Sequence, residues 1–522
     1  MDTKVDPRLG TDIRWSQLPI LIPRSLVGAS LGCHVLGAAP IKPDLNDPYN
    51  VLAGAHHRII RKPNSPKKKL LRELKYYIRD NFDKHFRRAT SEDIVDFEEW
   101  ISSTNYSMRD KEKFRRIKKD LDDPYSRSHA KVKSFLKDES YPEFKNPRTI
   151  NSRTDALKVI FGPIAKTMER ITYKNLSFIK HVPVPERPAY IENIIGQVVH
   201  LMVTDYTSFE ASFTKVIQKS IEFEHYHQML GPIISSIEYF DLFERTLQSR
   251  SSVIFKWLIV VMDAIRFSGE MTTSLGNGVS NFWLNYFMAY KSGAQVLGLL
   301  VEGDDGVCNS TRPFDPTLAP SLGFRLKMTI VQDLAEASFC GMIFDPISKQ
   351  IITDPIKQLL NFGWTNRAYS RGSSNTRKLL LRAKAYSILY SYPGCPILHT
   401  LGLRALELTK SFDVRGFVAQ NRNFDSYHRD KLLEAISYSG PRVGPTMETR
   451  ILFERTFNIS IEHQKLLESR IDQWQGGPMD LPLDWPKDNV RMFDSYFCDR
   501  YTIPEDLPVQ IDRDHDALNA IT

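Results

Sequence analysis

Hydrophobic and polar positions alternate with turn signals most clearly at residues 297–309. There an apolar run rich in Leu and Val meets Gly-Asp-Asp-Gly, and Val307 and Cys308 start a return strand. Apolar segments on both sides of a Gly/Asp turn predict a β-hairpin. A second apolar run ends at Asp205 and predicts a buried strand. A helix follows from near Glu210, with Phe213, Val216, Ile217 and Ile221 on its buried face. Between these, Ser268 and Gly269 open a loop, and Thr272 or Thr273 suits a helix N-cap. Val279, Phe282, Trp283, Tyr286 and Tyr290 then form an apolar face at helical spacing. Thr273, Asn277, Asn281 and Asn285 recur every fourth residue on another face. Upstream, 70–86 and 109–121 read as basic helices, and 131–153, broken by Pro142 and Pro147, as strand and loop. Downstream, 323–327 and 339–344 read as short strands. From Asp345 the chain turns mostly helical, with 356–362, 376–390 and 398–410 as candidates.

Composition narrows the class. The 522 residues, 42% apolar and 25% charged, exclude a disordered or low-complexity chain and suggest two or three subdomains. The net charge of +8 is local: residues 58–88 hold twelve Lys or Arg against three Asp or Glu. Such a block suits a polyanion partner, although a solvated basic helix face has the same composition. The five cysteines (Cys33, Cys308, Cys340, Cys395, Cys498) are scattered, without metal-ligand spacing, as expected of a reducing, intracellular setting. No apolar run reaches membrane-spanning length; 253–265 is the greasiest and contains Lys256 and Asp263. Residues 25–41 lack the basic leader of a signal peptide. Residues 1–50 read as an extended arm with little core of its own. From Gly476 the chain reads as a loosely packed, Pro-rich tail, in which Asp499, Glu505, Asp506, Asp512, Asp514 and Asp516 oppose Arg500 and Arg513.

The candidate chemistry starts with Asp304 and Asp305. Two carboxylates on one tight turn repel unless a cation sits between them, and Mg²⁺ takes hard oxygen ligands of this kind. Solvated turn residues would look the same. Asp205, at a buried strand's end, needs a partner or caps the next turn. Lys137, Lys145, Arg148 and Arg153 could meet on one surface that suits a triphosphate; an ordinary charged loop is the competing reading. The Asn stripe could read hydroxyls.

The order of these pieces is more specific than any one of them. Lys145-Asn146-Pro147-Arg148 comes first. Asp205-x4-Glu210, Ser268-Gly269-x3-Thr273-x3-Asn277 and Gly303-Asp304-Asp305 follow in turn. Over roughly residues 130–345 the chain closely resembles the RNA-dependent RNA polymerases of positive-strand RNA viruses. Ser-Gly-Glu-Met-Thr-Thr-Ser-Leu-Gly-Asn and the later Phe339-Cys340-Gly341 bring it nearest to the tombusvirus-like and flavivirus-like groups. The resemblance implies an α+β right hand: arm 1–50, fingers 51–198, palm 199–345 with a fingers insertion at about 225–267, thumb 346–475 and tail 476–522. It implies Asp205 and Asp304 as principal ligands of two Mg²⁺ (or Mn²⁺) ions, with Asp305 assisting. It implies Lys137, Lys145, Arg148 and Arg153 at the triphosphate, and Glu210, Ser268, Gly269, Thr273 and Asn277 at the ribose. Lys327 would protonate the departing pyrophosphate, and Phe339, Cys340 and Gly341 would grip the growing strand's end.

Two residues depart from the family pattern: Glu210 stands where Asp is usual, and Gly278 where Ser or Thr is common. The implied partners are template and product RNA, nucleoside triphosphates and other viral replication proteins. The implied place is the host cytoplasm, at a membrane-bound replication complex reached through a partner. The acidic tail is expected to fold toward the basic channel and restrain initiation. A reverse transcriptase would share the palm acids, and a non-catalytic RNA-binding protein could keep the fold.

Overall fold

The computed structural model describes residues 10–15, 25–27, 29–36, 40–126, 129, 131–141, 145–421, 423–424, 426–484 and 509–511. The expected hairpin forms. Val296–Glu302 and Asp305–Ser310 are antiparallel, and Glu302 pairs with Asp305 across a two-residue loop. Gly303 has φ +62, the positive first position of a type II′ turn. The return strand therefore begins at Asp305 itself, two residues before Val307.

This hairpin is half of a four-stranded antiparallel sheet. Asp305–Ser310 pairs with His200–Tyr206, and His200–Tyr206 with Leu326–Val331 at the edge. The sheet is covered on both faces. Met202, Leu299, Val301 and Cys308 pack toward helix Thr273–Lys291, while Leu201, Leu300 and Val307 pack with Ile191, Ile195 and Phe339. Alternate residues of a strand point to opposite faces, so each strand feeds two cores.

The segment after Asp205 differs from the single amphipathic helix predicted. It breaks into Phe209–Ser212, Lys215–Ser220 and Glu222–Leu230. Phe213, Ile217 and Ile221 are buried, but the breaks shift the helical phase and leave Val216 exposed. The helix Thr273–Lys291 also departs from the amphipathic reading. Asn277, Asn281 and Asn285 are as buried as Phe282 and Trp283, because the polar stripe faces the hairpin instead of solvent.

A second sheet of six strands carries Val132–Leu136 and Thr149–Arg153, the predicted strand-and-loop region, beside Ser251–Ile254, Leu258–Met262, Asp12–Trp15 and Val509–Ile511. The basic helices lie at Lys68–His85 and Met108–Lys119. The region after Asp345 is mostly helical, including Pro355–Phe362, Ser374–Ser391 and Leu398–Leu408.

The N-terminal arm joins that distant core. Leu31, Cys33 and Val35 are buried among Leu359, Leu380, Leu398 and Leu467. The start of the tail packs there too, through Met479 and Leu481, so the loose-tail expectation fails for 476–484. The acidic and basic tail residues from Asp499 to Asp516, Cys498, and the restraint expected of them lie outside the described residues. No described helix is long and apolar enough to cross a membrane.

Candidate active site

The predicted acids sit at the ends of neighbouring strands. Asp205 is exposed at the end of His200–Tyr206, one step beyond the Thr204–Gly306 pair, and Asp305 starts the adjoining strand. Asp304 forms the turn beside it. Burial raises the Asp304 carboxyl, and the negative charges of Glu210 and Asp305 raise it further, to about 7, against a smaller pull from Arg58. Burial likewise lifts Asp305 to about 6. The Cys340 thiol opposes this by hydrogen bonding, while Glu302 and Asp205 add repulsion. These are hard-oxygen donors held close at an electrostatic penalty, and their chemistry fits a divalent cation. Among the described residues, no three His, Cys, Asp or Glu side chains already converge at metal-holding distance. Lys327 lies directly opposite Asp205 in the edge-strand register, and its side chain is exposed.

The turn is held from below by an asparagine. Asn281 Nδ2 donates to the carbonyls of Gly303, Asp304 and Asp305 at 3.3, 3.0 and 3.0 Å. Asn285 Nδ2 in turn donates to Asn281 O and Oδ1, both at 2.9 Å. Instead of reading hydroxyls, as the stripe's pattern suggests, Asn281 fastens the hairpin and Asn285 steadies Asn281. Only Asn277 reaches the predicted ribose partner, its Nδ2 donating to Glu210 Oε1 at 3.4 Å. The unusual Gly278 has a steric reason: a Cβ there would sit 3.1 Å from the Phe178 ring and 3.8 Å from the Gly303 nitrogen. A side chain would crowd the Phe178 ring, which packs against this face of the helix.

The loop before this helix is tied to the strand Thr149–Arg153. Ser268 Oγ donates to Thr149 O at 2.8 Å, and Gly269 N donates to Asn151 O at 3.0 Å. Thr272 is the N-cap residue, without a side-chain cap bond. The Thr273 hydroxyl instead donates to Phe267 O at 2.6 Å and closes the loop. Ser268, Gly269 and Thr273 thus brace backbone in this conformation.

The four predicted triphosphate cations do not share one surface. Arg148 is exposed and makes a two-pronged pair with Glu139, at 2.5 and 2.6 Å. Lys137 is 3.3 Å from the same carboxylate, and Lys145 is exposed nearby in sequence. Burial alone would raise Glu139, but hydrogen bonds from Arg148 and Tyr141 outweigh it and hold the carboxyl at about 2. Arg153 is buried. Its Nε donates to Glu270 at 2.8 Å, its Nη1 to Ser251 Oγ at 3.0 Å, and its guanidinium lies over Phe267. Buried Glu270 requires a cation, so Arg153 turns inward. Its expected place on the triphosphate surface is corrected to a structural pair.

The grip segment is a hairpin, not the single strand predicted. Ser338–Phe339 pairs with Met342–Phe344, and Cys340 and Gly341 both have positive φ, at 54 and 73. Phe339 is buried and anchors the turn, leaving Cys340 and Gly341 at its tip. Cys340 Sγ lies 3.6 Å from Glu302, which pairs with buried Arg187 at 2.7 Å.

The motifs leave out Glu139, Arg187, Glu222 and Arg266, and they give Asn281 a different role. The available signal was a charge inside an apolar run: Arg266 follows Ala264-Ile265, and Glu222 follows Ile221. A buried charge demands a partner.

Fold and site together define an α+β chain whose carboxylates cluster at one end of an antiparallel sheet, beside an Asn-bearing loop–helix. Comparison with curated proteins finds relatives of modest identity. The chain is 23% identical over 311 residues to the RNA-directed RNA polymerase of Pariacoto virus, covering 55% of this chain and 30% of that protein. It is 27% identical over 207 residues to the RNA-directed RNA polymerase of Atlantic halibut nervous necrosis virus, covering 38% and 21%. The enzyme of the same name from Striped jack nervous necrosis virus is 25% identical over 206 residues. The match therefore spans less than a third of each relative's length. The homologues are from nodaviruses, positive-strand RNA viruses as the motif order implied. No family model matches the chain.

Proposed function

We propose that this chain is an RNA-directed RNA polymerase that copies a viral RNA genome by nucleotidyl transfer from nucleoside triphosphates to an RNA 3′-hydroxyl. In this reading the four-stranded sheet is a palm, the helical region after Asp345 a thumb, and the segments before His200 largely fingers. One observation carries it: Asp205, Asp304 and Asp305 lie at adjoining strand ends, Asp305 repelled by Asp205 and Asp304 by Asp305 and Glu210, while Glu210 and Asn277 pair beside them.

Phosphoryl transfer asks little covalent work of a protein; it needs positioning and charge compensation. Asp205 and Asp304, with Asp305 assisting, would hold two Mg²⁺ ions. Bound there, such ions lower the pKa of the attacking hydroxyl and neutralise the triphosphate. Arg148, aligned by Glu139, directs its remaining N–H groups outward with Lys137 and Lys145 toward phosphate oxygens. Lys327, opposite Asp205, donates a proton to the pyrophosphate oxygen as its bond to the α-phosphorus breaks. Cys340 and Gly341 form the tip of a turn against which the growing strand's end rests. The basic block from Arg58 supplies a sequence-independent hold on template that weakens with salt. Other replication proteins bring the chain to a membrane-bound complex in the host cytoplasm.

The test is incorporation of labelled nucleotide by purified protein with Mg²⁺ and a short RNA template. Incorporation requiring template, Mg²⁺ and Asp304 supports the reading. An Asp304→Ala variant that incorporates at the wild-type rate removes the metal assignment. Preference for 2′-deoxy substrates would favour a reverse transcriptase, and RNA binding without incorporation a non-catalytic protein.

A further inference from the structure

An amide side chain presents an accepting oxygen at one end and a donating nitrogen at the other, and the end facing the ribose decides what is read. Around Asn277 that choice is made by a residue outside every motif. Arg266 Nη1 donates to Asn277 Oδ1 at 2.6 Å. A guanidinium has no acceptor, so the atom facing it must be the amide oxygen. Nδ2 is thereby turned toward Glu210.

Arg266 is itself fixed. Its other terminal nitrogen pairs with Glu222, and its guanidinium carbon lies 3.6 Å from the Phe213 ring centroid. Glu222 Oε1 accepts from Tyr226 at 3.0 Å. The Arg266 and Glu222 side chains are each 3% exposed. The helix accommodates them through Gly276, where a Cβ would fall 2.4 Å from Glu222 Oε1 and 2.8 Å from Arg266 Nη2.

We infer that the buried Arg266–Glu222 pair is a positioning device for ribose recognition, locking Asn277 as a donor and leaving Glu210 as the acceptor. A 2′-hydroxyl both donates and accepts, so it completes this pair, giving its proton to Glu210 and taking one from Asn277. A 2′-deoxyribose completes neither. The inference rests on the polymerase reading and deepens it. Arg266 touches no substrate; it acts through Asn277. Lysine could keep the charge beside Glu222, but it has no planar fork with which to hold carboxylate and amide together.

The experiment measures kcat/KM for one nucleoside triphosphate and its 2′-deoxy analogue, using the full chain, Mg²⁺ and an RNA template–primer. Arg266→Lys is expected to lower the ribo-to-deoxy ratio by about tenfold or more, because a site missing a hydrogen-bond partner loses discrimination on that scale. The loss falls on the ribonucleotide arm, while kcat/KM for the 2′-deoxy analogue changes by less than about twofold. A merely structural defect would lower both arms in parallel; that result, or an unchanged ratio, overturns the inference. Should Arg266→Lys lose cooperative melting, Gly276→Ala decides by the same ratios, since its methyl group displaces the pair without changing a charge. Wild-type protein that incorporates nothing removes the polymerase reading and this inference with it. Wild-type incorporation with an unaltered variant ratio removes the inference alone.

Discussion

Around Glu139 and Glu270 each carboxylate meets a guanidinium, whereas around Asp304 and Asp305 carboxylates meet one another. The consequences are opposite in sign for Glu139 and the aspartate turn. Arg148 and Tyr141 hold Glu139 down at about 2, against the effect of burial. Burial and like charges push Asp304 up to about 7. Glu270 stands between: burial raises it against the pull of Arg153. Paired charges are what a chain arranges for its own stability or geometry. A like-charge cluster at a rigid strand end opposes folding, and it persists where an absent positive partner completes it. The contrast is the reason for proposing the turn at Asp304 as the chemical end of the sheet and the Glu270 region as scaffold.

Four experiments break or sharpen this contrast. The largest effect is expected at the unbalanced site. Asp304→Asn should lower incorporation by about 1,000-fold or more, equivalent to about 4 kcal/mol of transition-state stabilisation. It should also remove any rise in melting temperature that Mg²⁺ gives the wild type, since a ligand stabilises only the state it binds. A retained Mg²⁺ shift would return Asp304 to the solvated-turn reading.

Next comes the balanced site. Arg153→Leu strands Glu270 in the core and should destabilise the fold by about 3–5 kcal/mol in urea titration. Arg148→Gln, at an exposed pair, should cost about 1 kcal/mol or less and raise KM for nucleotide instead. A reversed pattern would put Arg153 back at the triphosphate.

Third, Asn281→Ala frees three turn carbonyls without touching a carboxylate. A misplaced turn should lower incorporation by about 100-fold while RNA binding in a filter assay persists. Equal loss of both would make Asn281 a folding residue only.

The smallest effect concerns acid. Glu139 has a folded value of about 2, against about 4.3 in an unfolded chain. Its contribution is therefore complete above about pH 4.3 and is lost as pH falls toward 2. Glu139→Gln should flatten the fall in urea midpoint between about pH 5 and pH 3; an unchanged slope would mean that other carboxylates set it.

Local pattern made much of the site legible. The 297–309 hairpin, the Asp205 strand and the Thr273–Lys291 helix are each encoded by periodicity and turn residues within one element. The order of Asp205, Asn277 and Asp304 along the chain needed no structure to notice. Two of the failures share one cause, a partner far away in sequence, and the third is a local break in a helix. Arg153 is indistinguishable from Arg148 until Glu270 is found beside it, 117 residues on. Asn281 looks like Asn277 until the helix is laid on the hairpin. Val216 fits a buried face until the helix breaks after Ser212 and shifts phase.

By itself, then, the amino-acid order determined the Asp205 strand, the hairpin and the Thr273–Lys291 helix, and which acids reach strand ends, because those outcomes follow from neighbours within a few residues. Only the tertiary structure decided which charges are neutralised and which are left facing one another. Ion pairing depends on burial and on approach within a few ångströms, and folding alone brings Glu222 to Arg266 across 44 residues.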